Sequence, residues 1–432
     1  MIKRAIARGS IQHEISNDLN AFAKLILNPS YARQIDRNEI LKAKRSISSY
    51  FDNYNVTLFP YARTALHAVL KSLDIPKGSK VLMTPINIGP MLNIIESLDL
   101  HVDFVDVNLV DFGPNYIHLE DKLAESPSCL FLTYLFGYVP DVEVIVNLCK
   151  KYNVRLIEDI SQSIGSKFDK KLLGTFGSAA IYSASLTKYV DGYNGAFAIT
   201  NSASIYKSVE NYQKKLNNPD KNRIRGIVSK TLLWNILLNK HIFNIFTYRL
   251  LSIISIFKPK LFKKLLGPSI SLKKSSILPG FYFESITNLQ SITIRKYLGK
   301  LDILISKRRL YAKIVLTAIK EIGLTRDIYN SYLEKERYNN YWQFVIEVKD
   351  IDLAKELLFK NGIETGNTNL PNLSISCNQN LRNANRLKNN FIFIPMHEHL
   401  DINDYKNIFL LLETHKLIVI DDNFLKRISI YS

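Results

Sequence analysis

Between residues 55 and 200 the chain alternates short apolar runs with stretches whose apolar positions recur at helical spacing. Residues 81–83, 102–105, 130–132, 155–157 and 179–182 read as strands. Over 63–73, Ala65, Leu66, Val69, Leu70 and Leu73 share one helical face. Asp141 reads as the N-cap of a helix that buries Val142, Ile145, Val146 and Cys149. Strands that alternate with helices in this way need crossover connections, which implies an α/β fold with a mainly parallel central sheet covered on both faces.

The remainder reads differently. Residues 288–319 carry the pattern of one or more long amphipathic helices. A strand over 341–346, a helix over 353–359 ending at Asn361-Gly362, and the apolar run 391–394 before Pro395 together read as a smaller α+β C-terminal domain. The expected organisation is a large domain over 1–215, a basic and apolar helical insertion over 216–283, and a long helix with the small domain over 284–432. The 432 residues are 47% apolar, enough for a large core and incompatible with a disordered chain. The cysteines Cys129, Cys149 and Cys377 form neither a disulfide framework nor a zinc-ribbon spacing, which favours a reducing compartment. The first ten residues lack the apolar core of a signal peptide, so a cytoplasmic protein is expected.

The net charge of +18 is concentrated in the insertion. No Asp or Glu lies between Asp220 and Glu284, while Lys221, Arg223, Arg225, Lys230, Lys240, Arg249, Lys258, Lys260, Lys263, Lys264, Lys273 and Lys274 all do. A charge confined to one segment is weak support for nucleic-acid binding, and basic and aromatic residues are not interleaved as in a single-strand module; no nucleic-acid partner is expected. The apolar run 242–257 falls short of the roughly 20 residues of a spanning helix and is interrupted by Arg249. Two readings of the segment remain: packing on its own domain or on a second subunit, which is favoured, and a peripheral contact of 221–274 with anionic lipid at the inner face of a membrane.

The common phosphate loops and the GxSxG elbow are absent. Ser185 to Lys188 fits the Ser-x-x-Lys of penicillin-binding enzymes, but their Ser-Asp-Asn and Lys-Thr-Gly elements are missing. His397 and His399 lie two apart without further ligands at metal spacing, so no metal site is expected.

One constellation does carry chemistry. Glu158-Asp159-Ile160-Ser161-Gln162 puts a carboxylate at the C-terminal end of an expected parallel strand, where open α/β sheets bind ligands. Gly174-Thr175-Phe176-Gly177, Ser183, Lys188, Gly192 and Gly195 follow in order. A lysine amine for a Schiff base, an acid for a pyridine nitrogen and hydroxyl and amide donors for a phosphate are the set that pyridoxal phosphate chemistry requires.

On these strings the chain resembles the DegT/DnrJ/EryC1/StrS family of sugar aminotransferases, which have the pyridoxal-phosphate fold type I. The resemblance runs from about residue 59 to 411, apart from the basic insertion. It rests on Glu158-Asp159-x-x-Gln162, Gly174-Thr175-x-Gly177 and Ser183 to Lys188. Tyr61 to His67, Leu289-Gln290, Lys300 to Asp302, Arg308-Arg309, Asn361 to Thr365 and Ile394 to Met396 extend it.

The resemblance implies that Lys188 holds pyridoxal 5'-phosphate and shuttles a proton, that Asp159 faces the pyridine nitrogen, and that Gln162 touches the ring hydroxyl side. It implies phosphate binding by Ser183 with the helix start at Arg63 and Thr64. The retained lysine argues against the family's dehydratase variants, which carry histidine there. Ala62-Arg63 stand where the family often has Gly-Thr, and Thr84 to Ile88 lack its stacking aromatic. The expected activity is transfer of an amino group from an amino acid, glutamate first, to a nucleotide-linked keto-sugar by a homodimer, in surface polysaccharide or antibiotic sugar assembly. The alternatives are a non-transaminating enzyme with the same cofactor, and a non-catalytic member that binds a membrane or a partner.

Overall fold

The computed structural model of the chain describes residues 5–266, 277–324, 336–396, 398 and 400–431. Two helices, α1 (Ile15–Leu27) and α2 (Arg37–Tyr50), precede the sheet. The alternation read from the sequence is then realised as β1 (Asn55–Phe59), α3 (Ala62–Ser72), β2 (Lys80–Met83), α4 (Gly89–Glu96), β3 (His101–Phe104), α5 (Tyr116–Ala124), β4 (Cys129–Thr133), α6 (Val142–Lys151) and β5 (Arg155–Asp159). Two short strands, β6 (Lys167–Phe168) and β7 (Lys171–Leu172), lead to the hairpin partners β8 (Ala179–Ala184) and β9 (Gly195–Thr200). Asp141 caps α6 as expected, its carboxylate accepting the N–H of Val144.

The central sheet has seven strands in the order β1-β9-β8-β5-β4-β2-β3. Only β9 runs against its neighbours; β8, β5, β4, β2 and β3 pair in parallel. Every residue of β4 and of β9 is buried, as a sheet covered on both faces demands. The register aligns Thr133 with Asp159, Asp159 with Ile181, and both Ser183 and Phe59 with Ala196. The ends of β1, β4, β5 and β8 therefore open on one edge, and the connection from β8 to β9 hangs over it.

Helix α7 (Ala203–Gln213) follows the sheet, and α8 (Lys221–Leu237), α9 (Lys240–Ile242), α10 (Tyr248–Phe257) and α11 (Pro259–Leu266) lie in the basic segment. The long amphipathic stretch is two helices, α12 (Asn288–Leu298) and α13 (Leu301–Glu321). A capping box between Thr287 and Gln290 starts α12. The C-terminal unit comprises β10 (Arg337–Tyr338), β11 (Phe344–Glu347), α14 (Ile351–Lys360), α15 (Arg382–Asn390), β12 (Phe391–Ile394), α16 (Ile402–Thr414) and α17 (Asp422–Tyr431). β11 and β12 pair antiparallel, giving the expected smaller α+β domain. The N-terminus reaches this unit too, Ile6 donating its N–H to the carbonyl of Gly362 at 2.8 Å.

The strand expected over 341–346 begins later, at Phe344. Tyr341 has φ +50°, and the N–H groups of Trp342 and Gln343 bond to Asn340 Oδ1 (2.9 Å) and the Phe136 carbonyl (3.0 Å). Residues 340–343 are thus bent toward the large domain instead of joining the small sheet. His397 and His399 lie outside the described residues.

Candidate active site

Glu158 and Asp159 end β5 side by side but look into different surroundings, because successive strand residues point to opposite sides. Glu158 is fully buried and serves the backbone: its carboxylate accepts the N–H groups of Gly174 (2.8 Å), Phe176 (2.9 Å) and Gly177 (2.7 Å) and the hydroxyl of Tyr134 (2.9 Å). Burial pushes the carboxyl up, and these four donors pull the other way. Gly177 is required because a Cβ there would lie 2.4 Å from the Leu156 carbonyl oxygen. The Gly174 to Gly177 motif is therefore a cradle for Glu158.

Asp159 turns to the ligand edge. Its carboxylate accepts the N–H of Ser161 at 3.0 Å and the hydroxyl of Thr133 at 3.4 Å, and Thr133 in turn accepts the side-chain amide of Asn87 at 2.7 Å. Burial raises its pKa, opposed by Ser161, Lys188 and Thr133. Lys188 answers it: burial lowers the amine to about 8 while the Asp159 carboxylate opposes the shift. The two groups named from the sequence thus interact across one site. Ser183 stands at the same edge, its N–H bonded to Ser161 Oγ at 3.0 Å.

The Lys188 turn is pinned from three sides. Thr187 adopts φ +73°, which a β-branched residue rarely does. Its carbonyl accepts the indole N–H of Trp342 at 3.1 Å, and the ring centroid of Trp342 lies 3.9 Å from Lys188 Nζ. Beyond the lysine, Asp191 is fully buried, faces the Thr187 backbone and accepts the N–H of Tyr193 at 3.0 Å. His13 reaches in from the N-terminal segment, bonding Asp18 at 2.7 Å and the Asp191 carbonyl at 3.1 Å, with its ring stacked on Tyr297. Burial pushes Asp191 up to about 6, against the pull of His13. Burial also opposes the charged His13 ring, but its two carboxylate neighbours outweigh that and raise its pKa.

Gln162, Arg63 and Thr64 are placed at or beside this edge with several of their groups already engaged. Gln162 Oε1 accepts the Phe136 N–H at 2.7 Å. Thr64 donates its hydroxyl to the Tyr282 carbonyl at 2.6 Å and its N–H to the Tyr61 carbonyl at 3.1 Å, leaving the start of α3 to Ala62 and Arg63. The Arg63 guanidinium is held between the rings of Tyr61 (4.4 Å) and Tyr282 (4.5 Å). Where the sequence lacks an aromatic, Ile86 is fully buried and bridged to Asn372. The aromatic beside the amine is Trp342 instead.

Sequence reading missed Trp342, His13, Asn87 and Thr133. Trp342 was visible only as part of a strand pattern, and His13 lies 178 residues from Asp191 with no local period linking them. No group of three or more His, Cys, Asp or Glu residues suited to a metal occurs among the described residues.

A mainly parallel seven-stranded sheet with one reversed strand, joined to a small α+β domain, is the fold type I architecture. The model of the DegT/DnrJ/EryC1/StrS aminotransferase family matches residues 34–230 of the chain. Among curated proteins it is similar to the pleiotropic regulatory protein of Geobacillus stearothermophilus, 27% identical over 188 residues, which cover 40% of this chain and 50% of that one. It is also similar to the GDP-perosamine synthase of Escherichia coli O157:H7, 29% identical over 142 residues, or 33% of this chain and 39% of that one. These matches span half or less of each relative's length. Helicobacter pylori PseC, an aminotransferase involved in the biosynthesis of pseudoaminic acid, superimposes with a TM-score of 0.68 at 16% identity, covering 96% of this chain and 100% of that one. At that identity the likeness is one of fold.

Proposed function

We propose that this chain is a pyridoxal-phosphate-dependent aminotransferase that moves an amino group from an amino acid, glutamate being the expected donor, to a keto-sugar carried on a nucleotide. The observation that carries this reading is the pairing of a half-buried lysine, its amine lowered to about 8, with a buried aspartate at the ligand edge of the sheet. The residues present fit the cofactor. Asp159 offers the carboxylate for the ring nitrogen, Lys188 the amine, and Ser183 with the Ala62–Arg63 helix start the donors for an anion. Pyridoxal phosphate, when bound, supplies the electron sink for the carbon that bears the transferred nitrogen.

The protein's own contribution follows from the geometry. An amine near pKa 8 is partly neutral at physiological pH, so Lys188 can act as a nucleophile and can take up and return a proton at Nζ. Asp159 is held by Ser161 and by the Asn87–Thr133 relay, which aims its carboxyl group in a fixed direction. Trp342 covers the amine and limits water there. The lysine at this position also supports transfer over the dehydration carried out by histidine-bearing family variants. The same reading has the enzyme working as a homodimer with each site at the subunit boundary.

The test is spectroscopic and chemical. Wild-type protein given pyridoxal phosphate is expected to develop a visible absorbance band that Lys188→Ala lacks. Glutamate should bleach the band and release 2-oxoglutarate. Absence of the band in the wild type overturns the cofactor assignment; a band that glutamate leaves unchanged overturns glutamate as donor.

A further inference from the structure

Helices α9 and α10, joined by the π turn Phe243–Thr247, form one rod from Lys240 to Phe257, and α11 follows Lys258. The rod's inner side is fastened to the protein. Phe243 is buried, Asn244 Oδ1 accepts the Ala5 N–H at 2.8 Å, and the Tyr248 hydroxyl donates to the Phe359 carbonyl at 2.7 Å. The rings of Tyr248 and Phe262 each lie 4.9 Å from that of Phe359.

The outer side is apolar. Ile245, Phe246, Leu250 and Ile253 are exposed, and Ile256 and Phe257 are 72% and 78% exposed. The spacing 246, 250, 253, 257 is a continuous helical stripe, so the face turned to solvent is the one a helix on a globular protein normally buries. Arg249 shares this side, and exposed Lys258 and Lys260 follow at its end. No carboxylate occurs anywhere from 221 to 283.

We propose that this face docks on an anionic lipid surface. None of the described helices is long and apolar enough to cross a membrane, so the rod lies in the plane of the headgroups with its stripe in the acyl boundary. The cations beside the stripe match lipid phosphates in sign. A second copy of the chain fits less well. A two-fold contact through this patch would bring Arg249, Lys258 and Lys260 against their own equivalents, with no acidic residue in the segment to pair with them.

The test uses the full chain and vesicles of phosphatidylcholine, with and without phosphatidylglycerol, in co-sedimentation. Binding is expected only with phosphatidylglycerol present and should weaken as salt rises. Ile253→Asp with Phe257→Asp should reduce it by at least about tenfold, and Lys258→Glu with Lys260→Glu by about fivefold to tenfold. Failure to bind anionic vesicles, equal binding to neutral ones, or full binding by the Asp variant overturns the proposal. So does a wild-type oligomer that the Asp variant splits, since the face would then join copies of the chain. If an Asp variant loses its native near-ultraviolet circular dichroism, wild-type binding decides: salt-sensitive and anion-dependent supports docking, salt-insensitive overturns it.

Discussion

The Nζ of Lys188 sits 3.9 Å from the ring centroid of Trp342, a residue contributed by the bent approach to β11. Both burial and the π face act on the amine, in opposite directions. Burial lowers the amine to about 8 against the opposing pull of the Asp159 carboxylate, and the ring face also favours the charged form.

Replacing Trp342 with Ala should therefore rehydrate the amine and move its pKa upward. The drop from 10.5 to about 8 corresponds to roughly 3 kcal/mol, larger than the ~0.5–2 kcal/mol of a lysine–ring contact. The pH at which pyridoxal phosphate forms half of its visible band should rise in Trp342→Ala and stay near the wild-type value in Trp342→Phe. A downward shift in the Ala variant would mean that the ring contact dominates.

His13 makes a pH-dependent contribution to folding. Its folded pKa stands above the ordinary 6.5, so the charged pairing with Asp18, whose own pKa is lowered, is fully present below that value and is lost as pH rises through the folded one. Removing one partner of a buried ionic cluster costs about 3 kcal/mol. Urea midpoints for wild type and His13→Gln should differ most near pH 6 and converge toward pH 9; a gap that widens with pH would contradict the assignment.

Glu158 is expected to act as a structural acid. Glu158→Gln turns an amide N–H₂ toward groups that all donate, and should destabilise the fold by ~2–4 kcal/mol. Tyr134→Phe removes one of the four donors and should cost only about 1 kcal/mol. Equilibrium denaturation of the two variants checks the ratio.

Gly137 lies under the same bend that carries Trp342. It has φ +88°, and a Cβ there would fall 1.9 Å from Asn340 Oδ1 and 2.5 Å from the Trp342 nitrogen. Gly137→Ala should cost at least about 2 kcal/mol. It should also displace Trp342, raising the pH of half-maximal band formation as Trp342→Ala does. A destabilised variant with an unmoved pH midpoint would separate the bend from the amine.

Much of the fold was legible because its elements obey local periods. The parallel strands, the α6 cap at Asp141 and the helices after Asn288 each announce themselves within a dozen residues. Lys188 and Asp159 were legible as a pair because strand order places both at the C-terminal edge. The Glu158 motif was legible as a string, but its role was not, since only the backbone geometry reveals that Gly174 to Gly177 hold an acid. Trp342 escaped because a left-handed Tyr341 breaks the strand that its neighbours' sequence suggests. His13 and Asn244 act through partners more than 170 residues away, and no spacing rule spans such distances.

The connection carrying Lys188 is anchored at both ends by strands that are bonded to each other, Ala184 opposite Gly195. The amine is thus tethered to the rigid middle of the molecule, while its roof, Trp342, belongs to the bend beside the small domain. A displacement of that single indole ring would alter the hydration of the lysine amine without moving the strands that hold it.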